Sequence, residues 1–446
     1  MWRKTSTVGA LKQQVWPNLP YLSRGAYSLS CALLLLLLHG CNTSTLDTAS
    51  AQRELGEVAF SQLGLSAEVL PGVVRSSDEE SATVRMRLNA GVGRLILRTN
   101  ERAQGTLLIQ LYNVHPDARA KITQVQRLAS TSTLENECPF NALSVDCVAN
   151  SDNALCRTAT GSRPEGQSTT MDLRVNLSPC RETIVEIEPP EELADDPVSF
   201  AVIGSLENQN ILPTIVETER AAGREHDFYV LLGNALEDAD RANIADLEQI
   251  TTDLDAIFVA LPGQEELADD QGLAFERRFG AFDYGWTLKN TAFVIFYSAP
   301  AQLSTRGLSN LDSQLTALEA DDSRWRASND YTLPEGDVRA LPLMAFTHTP
   351  PFDPRGLRGD GFISRKQAAM VMSLLAEFQV DTLFAGRLAS NESEDGTPRL
   401  RAVSSQDPRF GRTQALYLTV ELTREQVAGS RRVNNRYISI QEHALP

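Results

Sequence analysis

"MAFTHTPPFDPRG", residues 344–356, decides how this chain is read. An apolar run with strand character ends in His348, Pro350 and Pro351 stiffen the turn, and Asp353-Pro354-Arg355-Gly356 leads away. In layered α/β sheets, ligands collect at the carboxyl ends of strands, so His348 stands where a ligand can be held.

The surroundings of this stretch alternate between strand and helix. "VSFAVIGS" (198–205), "DFYVLLGN" (227–234), "DAIFVALPG" (255–263), "TAFVIFYSA" (291–299) and "VDTLFAG" (380–386) read as buried strands. "ILPTIVETERAAGREH", "RANIADLEQITTDL" and "SRKQAAMVMSLLAEFQ" read as the helices between them, and "QALYLTVEL" and "NRYISIQEH" return to strand. The pattern predicts a layered α/β domain over 198–446. Its strands end in polar clusters: "GSLENQ" (204–209), "GNALED" (233–238), "PGQEEL" (262–267), "THTPP" (347–351) and "AGRLAS" (385–390).

In order and spacing, these five clusters resemble the motifs of the calcineurin-like metallophosphoesterases, over about Ser199 to the C-terminus. "FERRFGAFDYGW" (275–286) and the run from Gly361 to Gly386 resemble the family's connecting segments. The resemblance implies a layered α/β sandwich and two-metal catalysis, with two cations clamping a phosphate ester and generating a hydroxide. Carried over residue by residue, it exposes losses. Ser205 stands at the first aspartate, with Glu207 as its partner position, and Asn234 stands at the bridging aspartate. Gln264 and Glu265 replace an Asn-His pair. His348 remains, but Thr349 takes the second histidine's place, and Arg387 and Ala389 take the last two.

Five histidines in the whole chain cannot rebuild a site that rests on several imidazoles. Arg387 offers no lone pair, and a divalent ion about 4 Å from its charge costs roughly 8 kcal/mol at an effective dielectric near 20. The expectation is therefore a degenerate member, a pseudoenzyme with a binding or scaffolding role and no cofactor. In it, Arg387 pairs with Glu207 or Glu265 and takes over the charge of the lost metals. The remnant catalytic positions are His348, Arg387 and Glu265. The alternative is a phosphohydrolase with an atypical site, holding one Ca, Mg, Mn or Zn ion through Glu207, Asn234, Gln264 and His348. No G-x-S-x-G elbow, P-loop or Rossmann glycine pattern occurs.

The first half reads differently. "ATVRMRLNA", "GRLILRTN", "GTLLIQLYNV", "TMDLRVNLS" and "ETIVEIEPP" are strand-like and separated by turn residues. They predict a small β-sandwich over 57–190, with one short helix near Gly56–Gly64 and "PPEELADDP" (189–197) as linker. Cys138, Cys147, Cys156 and Cys180 read as two disulfides stapling that sandwich, with three connectivities open; none of their spacings is C-x-x-C, which argues against zinc.

"LSCALLLLLLHGC" (29–41), preceded by Arg3, Lys4, Lys12 and Arg24, suits a signal-peptide apolar core and is short for a bilayer span. Its "LHGC" end resembles the bacterial lipobox, which implies a leader over 1–40, a lipidated Cys41 and a polar tether over 41–56. Asn42 after the cysteine implies outer-membrane sorting by that family's rule. Losing 1–40 removes four positive charges and no negative ones, which takes the formal charge from −17 to −21. Nucleic acid is excluded as a partner, because counterion release needs a basic face. The partners expected are the membrane, through the N-terminal lipid, and an envelope protein or a small phosphorylated ligand. Mass spectrometry of membrane-extracted protein is expected to show Cys41 as a diacylated N-terminus; an unmodified internal Cys41 would refute the leader and its anchor.

Overall fold

The computed structural model describes residues 56–126, 144–148, 159–206, 208–236, 241–334, 338–353, 361–387, 393–394, 398–403 and 416–444. The described residues are mixed α/β and form four sheets. The leader, Cys41 and the tether lie outside the described residues, and no described helix is long and apolar enough to cross a membrane.

Two sheets come from the first half. One orders its strands Glu57–Phe60, Leu65–Leu70, Gly93–Thr99, Arg181–Glu188, Arg119–Gln126 and Ser144–Val148; the other runs Gly72–Asp78, Thr83–Gly91, Thr106–Val114, Thr170–Asn176 and Ala159–Ser162. Alternation fills the space between them: Val84, Met86 and Leu88 from one face meet Leu95, Leu97 and Ile187 from the other. The helix expected near Gly56–Gly64 is absent. Glu57–Phe60 is instead a strand paired with Leu65–Leu70, since only that conformation sinks Phe60 into the sandwich core. Cys180 is disulfide-bonded; the side chains of the other three cysteines fall outside the described set.

The second half builds two six-stranded sheets. The first orders Phe258–Ala260, Phe228–Leu231, Val198–Ile203, Leu416–Thr423, Arg436–Ala444 and Arg431–Val433. The second orders Tyr284–Leu288, Thr291–Ile295, Leu343–Thr347, Thr382–Ala385, Arg399–Ala402 and Ser393–Glu394. Strand alternation sends Phe200, Phe228, Phe293, Phe346 and Phe384 into one shared core, where Phe200 stacks on Phe228 at 5.0 Å and Phe346 on Phe384 at 5.5 Å. The opposite faces bury Ala201, Ile203 and Leu231 against helices α1 (Leu212–Ala221), α2 (Arg241–Asp253) and α3 (Gln271–Phe279). Val294 and Ala345 pack under α4 (Thr305–Ser328) and α5 (Arg365–Glu377). The result is helix, sheet, sheet, helix.

The sandwich and these layers belong to one compact unit. Asn113 treats the edge strand Phe258–Ala260 as a neighbouring strand would. Its Oδ1 accepts from Phe258 N at 2.9 Å, and its Nδ2 donates to Phe258 O at 3.2 Å and to Leu88 O at 2.7 Å. Asp255 accepts from the backbone and hydroxyl groups of Ser168 and Thr169 at 2.8–3.1 Å. The linker is pinned as well, because Arg436 donates to Ala194 O and Asp196 O. Asn113→Ala strands the buried N–H of Phe258, whose carbonyl keeps the Arg87 guanidinium as donor, so the variant is expected to lose about 1–3 kcal/mol. Calorimetry should show one cooperative transition, shifted down as a whole; an unchanged second transition would contradict the coupling.

Candidate functional site

The carboxyl ends of the strands meet in a ring of backbone contacts. Leu206 N donates to Asn234 O at 2.8 Å, Gly386 N to Thr347 O at 3.2 Å, and Arg387 N to the Ser205 hydroxyl at 3.2 Å. His348 Nδ1 lies 2.6 Å from Leu232 O, so Nδ1 carries the proton and Nε2 keeps the lone pair. Gly233, at φ +87°, admits this approach: a Cβ there would sit 2.6 Å from His348 Nδ1. A Cβ at Gly263 would meet Asn234 Oδ1 at 1.9 Å.

Each residue expected at the site can be placed, apart from Glu207 and Ala389, which fall outside the described residues. Ser205, His348 and Thr349 are fully buried there. Asn234 takes a left-handed backbone at φ 49°, and its Oδ1 accepts a long 3.4 Å bond from Glu265 N. Gln264 and Glu265 are exposed, and no ion pair joins Glu265 to Arg387 among the described residues. Arg387, also left-handed at φ 63°, is half-buried with Nη1 fully covered and unpartnered. His348 Nε2 and Thr349 Oγ1 are likewise buried without partners.

Burial pushes the His348 imidazole down to about 4; its bond to the Leu232 carbonyl opposes this, and the Arg387 charge adds to it. The histidine is therefore neutral at pH 7. The buried carboxylate here is Glu266, which the sequence reading passed over for its exposed neighbour Glu265. Glu266 accepts from Gly263 N at 2.7 Å, Asn234 N at 2.9 Å, Ala235 N at 2.7 Å and Leu236 N at 3.1 Å. A visible signal existed: a glutamate three residues after Gly263, at the start of a helical turn, reaches back to its N–H as in a capping box. Burial raises the Glu266 pKa, with the Gly263, Asn234 and Leu236 N–H groups opposing.

This donor set does not fit a two-metal centre. One imidazole lone pair faces a fixed guanidinium, the amide of Asn234 leans on the 263–265 loop, and both oxygens of Glu266 are occupied by backbone N–H groups. Among the described residues no group of three or more His, Cys, Asp or Glu side chains could hold a metal ion.

No family model matches the chain, and no curated protein does. Among solved structures, similar chains include GAP50, the anchor in the inner membrane complex of Plasmodium, at 13% identity and a TM-score of 0.36 over 56% of this chain and 88% of that one. A dimetal phosphatase from Danio rerio is 12% identical, at a TM-score of 0.33 over 56% of this chain and all of the other. A protein serine/threonine phosphatase from Saccharomyces cerevisiae is 13% identical, at 0.30 over 56% and 81%. TM-scores this low establish neither fold nor activity for this chain.

The neutral imidazole gives a pH test. The unfolded histidine titrates near its ordinary 6.5 and the folded one near 4, so between these values the unfolded chain binds more protons and acid weakens the fold. The loss from this group is on the order of 3 kcal/mol by pH 4. His348→Gln can keep a donor for Leu232 O and does not titrate. Urea unfolding at stepped pH should show a shallower decline from 6.5 to 4 in the variant; equal slopes would show that His348 is not the neutral buried group described.

Proposed function

We propose that residues 198–446 are a calcineurin-like metallophosphoesterase domain that no longer assembles its dinuclear centre. In this reading the chain is an outer-membrane lipoprotein with a binding or scaffolding role, and its strand-end site takes a small phosphorylated ligand without metal. The observation that carries it is the set of three buried, unpartnered polar atoms at neighbouring strand ends: Arg387 Nη1, His348 Nε2 and Thr349 Oγ1. Leaving such an atom unmade costs about 1–3 kcal/mol, which a ligand at this site recovers. The set is one cationic donor, one lone-pair acceptor and one hydroxyl. A phosphate oxygen suits the guanidinium, and the phosphate's own O–H, or a neighbouring hydroxyl, suits the imidazole.

The two disulfides of the sandwich and the lipid on Cys41 belong to the same reading, since both fit an exported chain. A phosphohydrolase with one divalent ion is the competing reading.

Thermal unfolding with inorganic phosphate, joined to elemental analysis, separates the two. Phosphate at about 100 times its Kd should stabilise the wild type by about 2.7 kcal/mol and leave Arg387→Ala unmoved. The purified protein should carry no stoichiometric Mn, Fe or Zn pair and should hydrolyse aryl phosphates no faster than a blank. Two tightly bound metals, or a metal-dependent phosphoesterase rate abolished in His348→Ala, would overturn the proposal in favour of the enzyme.

A further inference from the structure

A second polar site lies at the amino ends of the same strands, away from the cup. Ser199, at the start of strand Val198–Ile203, places its Oγ 2.7 Å from His226 Nδ1. His226 Nε2 is 3.0 Å from Glu219 Oε2. Arg224 donates to Glu219 at 2.5 and 2.7 Å, and the Tyr417 hydroxyl donates to its other face. Burial pushes the Glu219 carboxyl upward, but the Arg224, Tyr417 and His226 donors outweigh it and hold it down to about 2.

This ionised carboxylate decides the tautomer. It can only accept, so His226 Nε2 carries the ring proton and Nδ1 carries the lone pair. The Ser199 hydroxyl therefore donates to the imidazole, which is the orientation of a serine about to be deprotonated. The ring nitrogens are exchanged relative to the usual Ser-His-acid order, but the roles of nucleophile, base and orienting acid are all filled.

Ser199 lines a cavity of about 510 Å³. Lys289 lines it too and sits beside Ser199: its Nζ is 2.7 Å from Asp227 Oδ1, while Ser199 N donates to Asp227 Oδ2 at 2.9 Å. One carboxylate thus places the ammonium near the serine, where it can stabilise an oxyanion. The lining carries Asp117, Glu225, Asp227 and Glu421 against Arg224 and Lys289. Two excess negative charges disfavour phosphate and favour an uncharged or cationic substrate.

We propose that Ser199, His226 and Glu219 form a metal-independent acyl-transfer site for uncharged or cationic carboxylic esters. Ser199 Oγ bonds to the ester carbonyl carbon as its proton passes to His226 Nδ1. The C–O bond to the alcohol breaks, and that proton leaves with the alcohol. Water then reverses the sequence, releasing the acid and restoring Ser199. Glu219 positions His226 and does not itself react.

The test is labelling of the full-length chain with an uncharged fluorophosphonate, in which an Oγ–P bond forms and fluoride departs. Peptide mass mapping should place one adduct on Ser199, insensitive to EDTA. Ser199→Ala should lose it while still unfolding in one cooperative transition, and His226→Gln should slow it roughly 10²-fold or more. The groups facing His226 are Glu219, Arg224, Asp227 and Tyr229, and burial lowers its pKa below 6.5 with Glu219 opposing. The labelling rate should therefore rise with pH, half-maximal below 6.5, and level off by neutrality. p-Nitrophenyl butyrate should be hydrolysed with the same profile. Folded wild type carrying no adduct on Ser199, or Ser199→Ala labelled at an equal rate, would overturn the site and leave the network as structural.

Discussion

A hydrogen bond from His348 Nδ1 to the carbonyl of Leu232, beside the one from Arg387 N to the Ser205 hydroxyl, ties the two central sheets together at their carboxyl ends. Leu232 follows the strand Phe228–Leu231 of one sheet, and His348 follows Leu343–Thr347 of the other. Between the sheets lies an aromatic core whose burial holds them face to face, and the His348 bond adds a polar tie at its rim. It also fixes the chemistry beside it. With Nδ1 committed as donor, Nε2 must be an acceptor, and burial beside Arg387 keeps it neutral.

Two groups then set the charge at these strand ends. Glu266 gathers four backbone N–H groups from the 233–236 and 263 turns, and Arg387 brings a fixed cation from the strand Thr382–Ala385. A carboxylate satisfied by backbone donors is a poor ligand, since coordination would strand those N–H groups. At the opposite end of the strand Val198–Ile203, the polar groups are nearly all paired, with Glu219, His226, Ser199, Asp227, His115 and Lys289 joined in one chain of bonds. One end holds unmet bonding capacity, whereas the other holds a directed proton path.

The layered half was legible because its determinants are periodic. Phe200 and Val202 alternate with Ala201 and Ile203, and such alternation marks strands buried on both faces. The strand-end clusters were legible through Gly, Asn and Pro punctuation. What escaped was set by contacts distant in sequence. Asn113 reaches Phe258 across 145 residues, and no local pattern announces that a sandwich side chain will cap another sheet's edge. Glu219 and His226 are seven residues apart around the end of α1, and Ser199 lies 27 residues from His226. No motif search reports a triad assembled this way. Glu265 drew attention as the aligned position, but exposure separates it from Glu266, and exposure alternates with turn geometry that residue type alone does not give.

The frame of the strand ends rests little on the side chains that face the site. Leu206 N to Asn234 O and Gly386 N to Thr347 O are backbone bonds, and the N–H groups of 234–236 and 263 rest on the Glu266 carboxylate, so none of these depends on the side chains at 205, 234, 264 and 387. The close approaches that do depend on side chains fall on Gly233 and Gly263, where a Cβ would collide with His348 or Asn234. Packing alone therefore accounts for the glycines at 233 and 263, whatever groups face the site. For that reason the chemistry of the site must be read from Arg387, Thr349 and the free Nε2, and not from the frame that surrounds them.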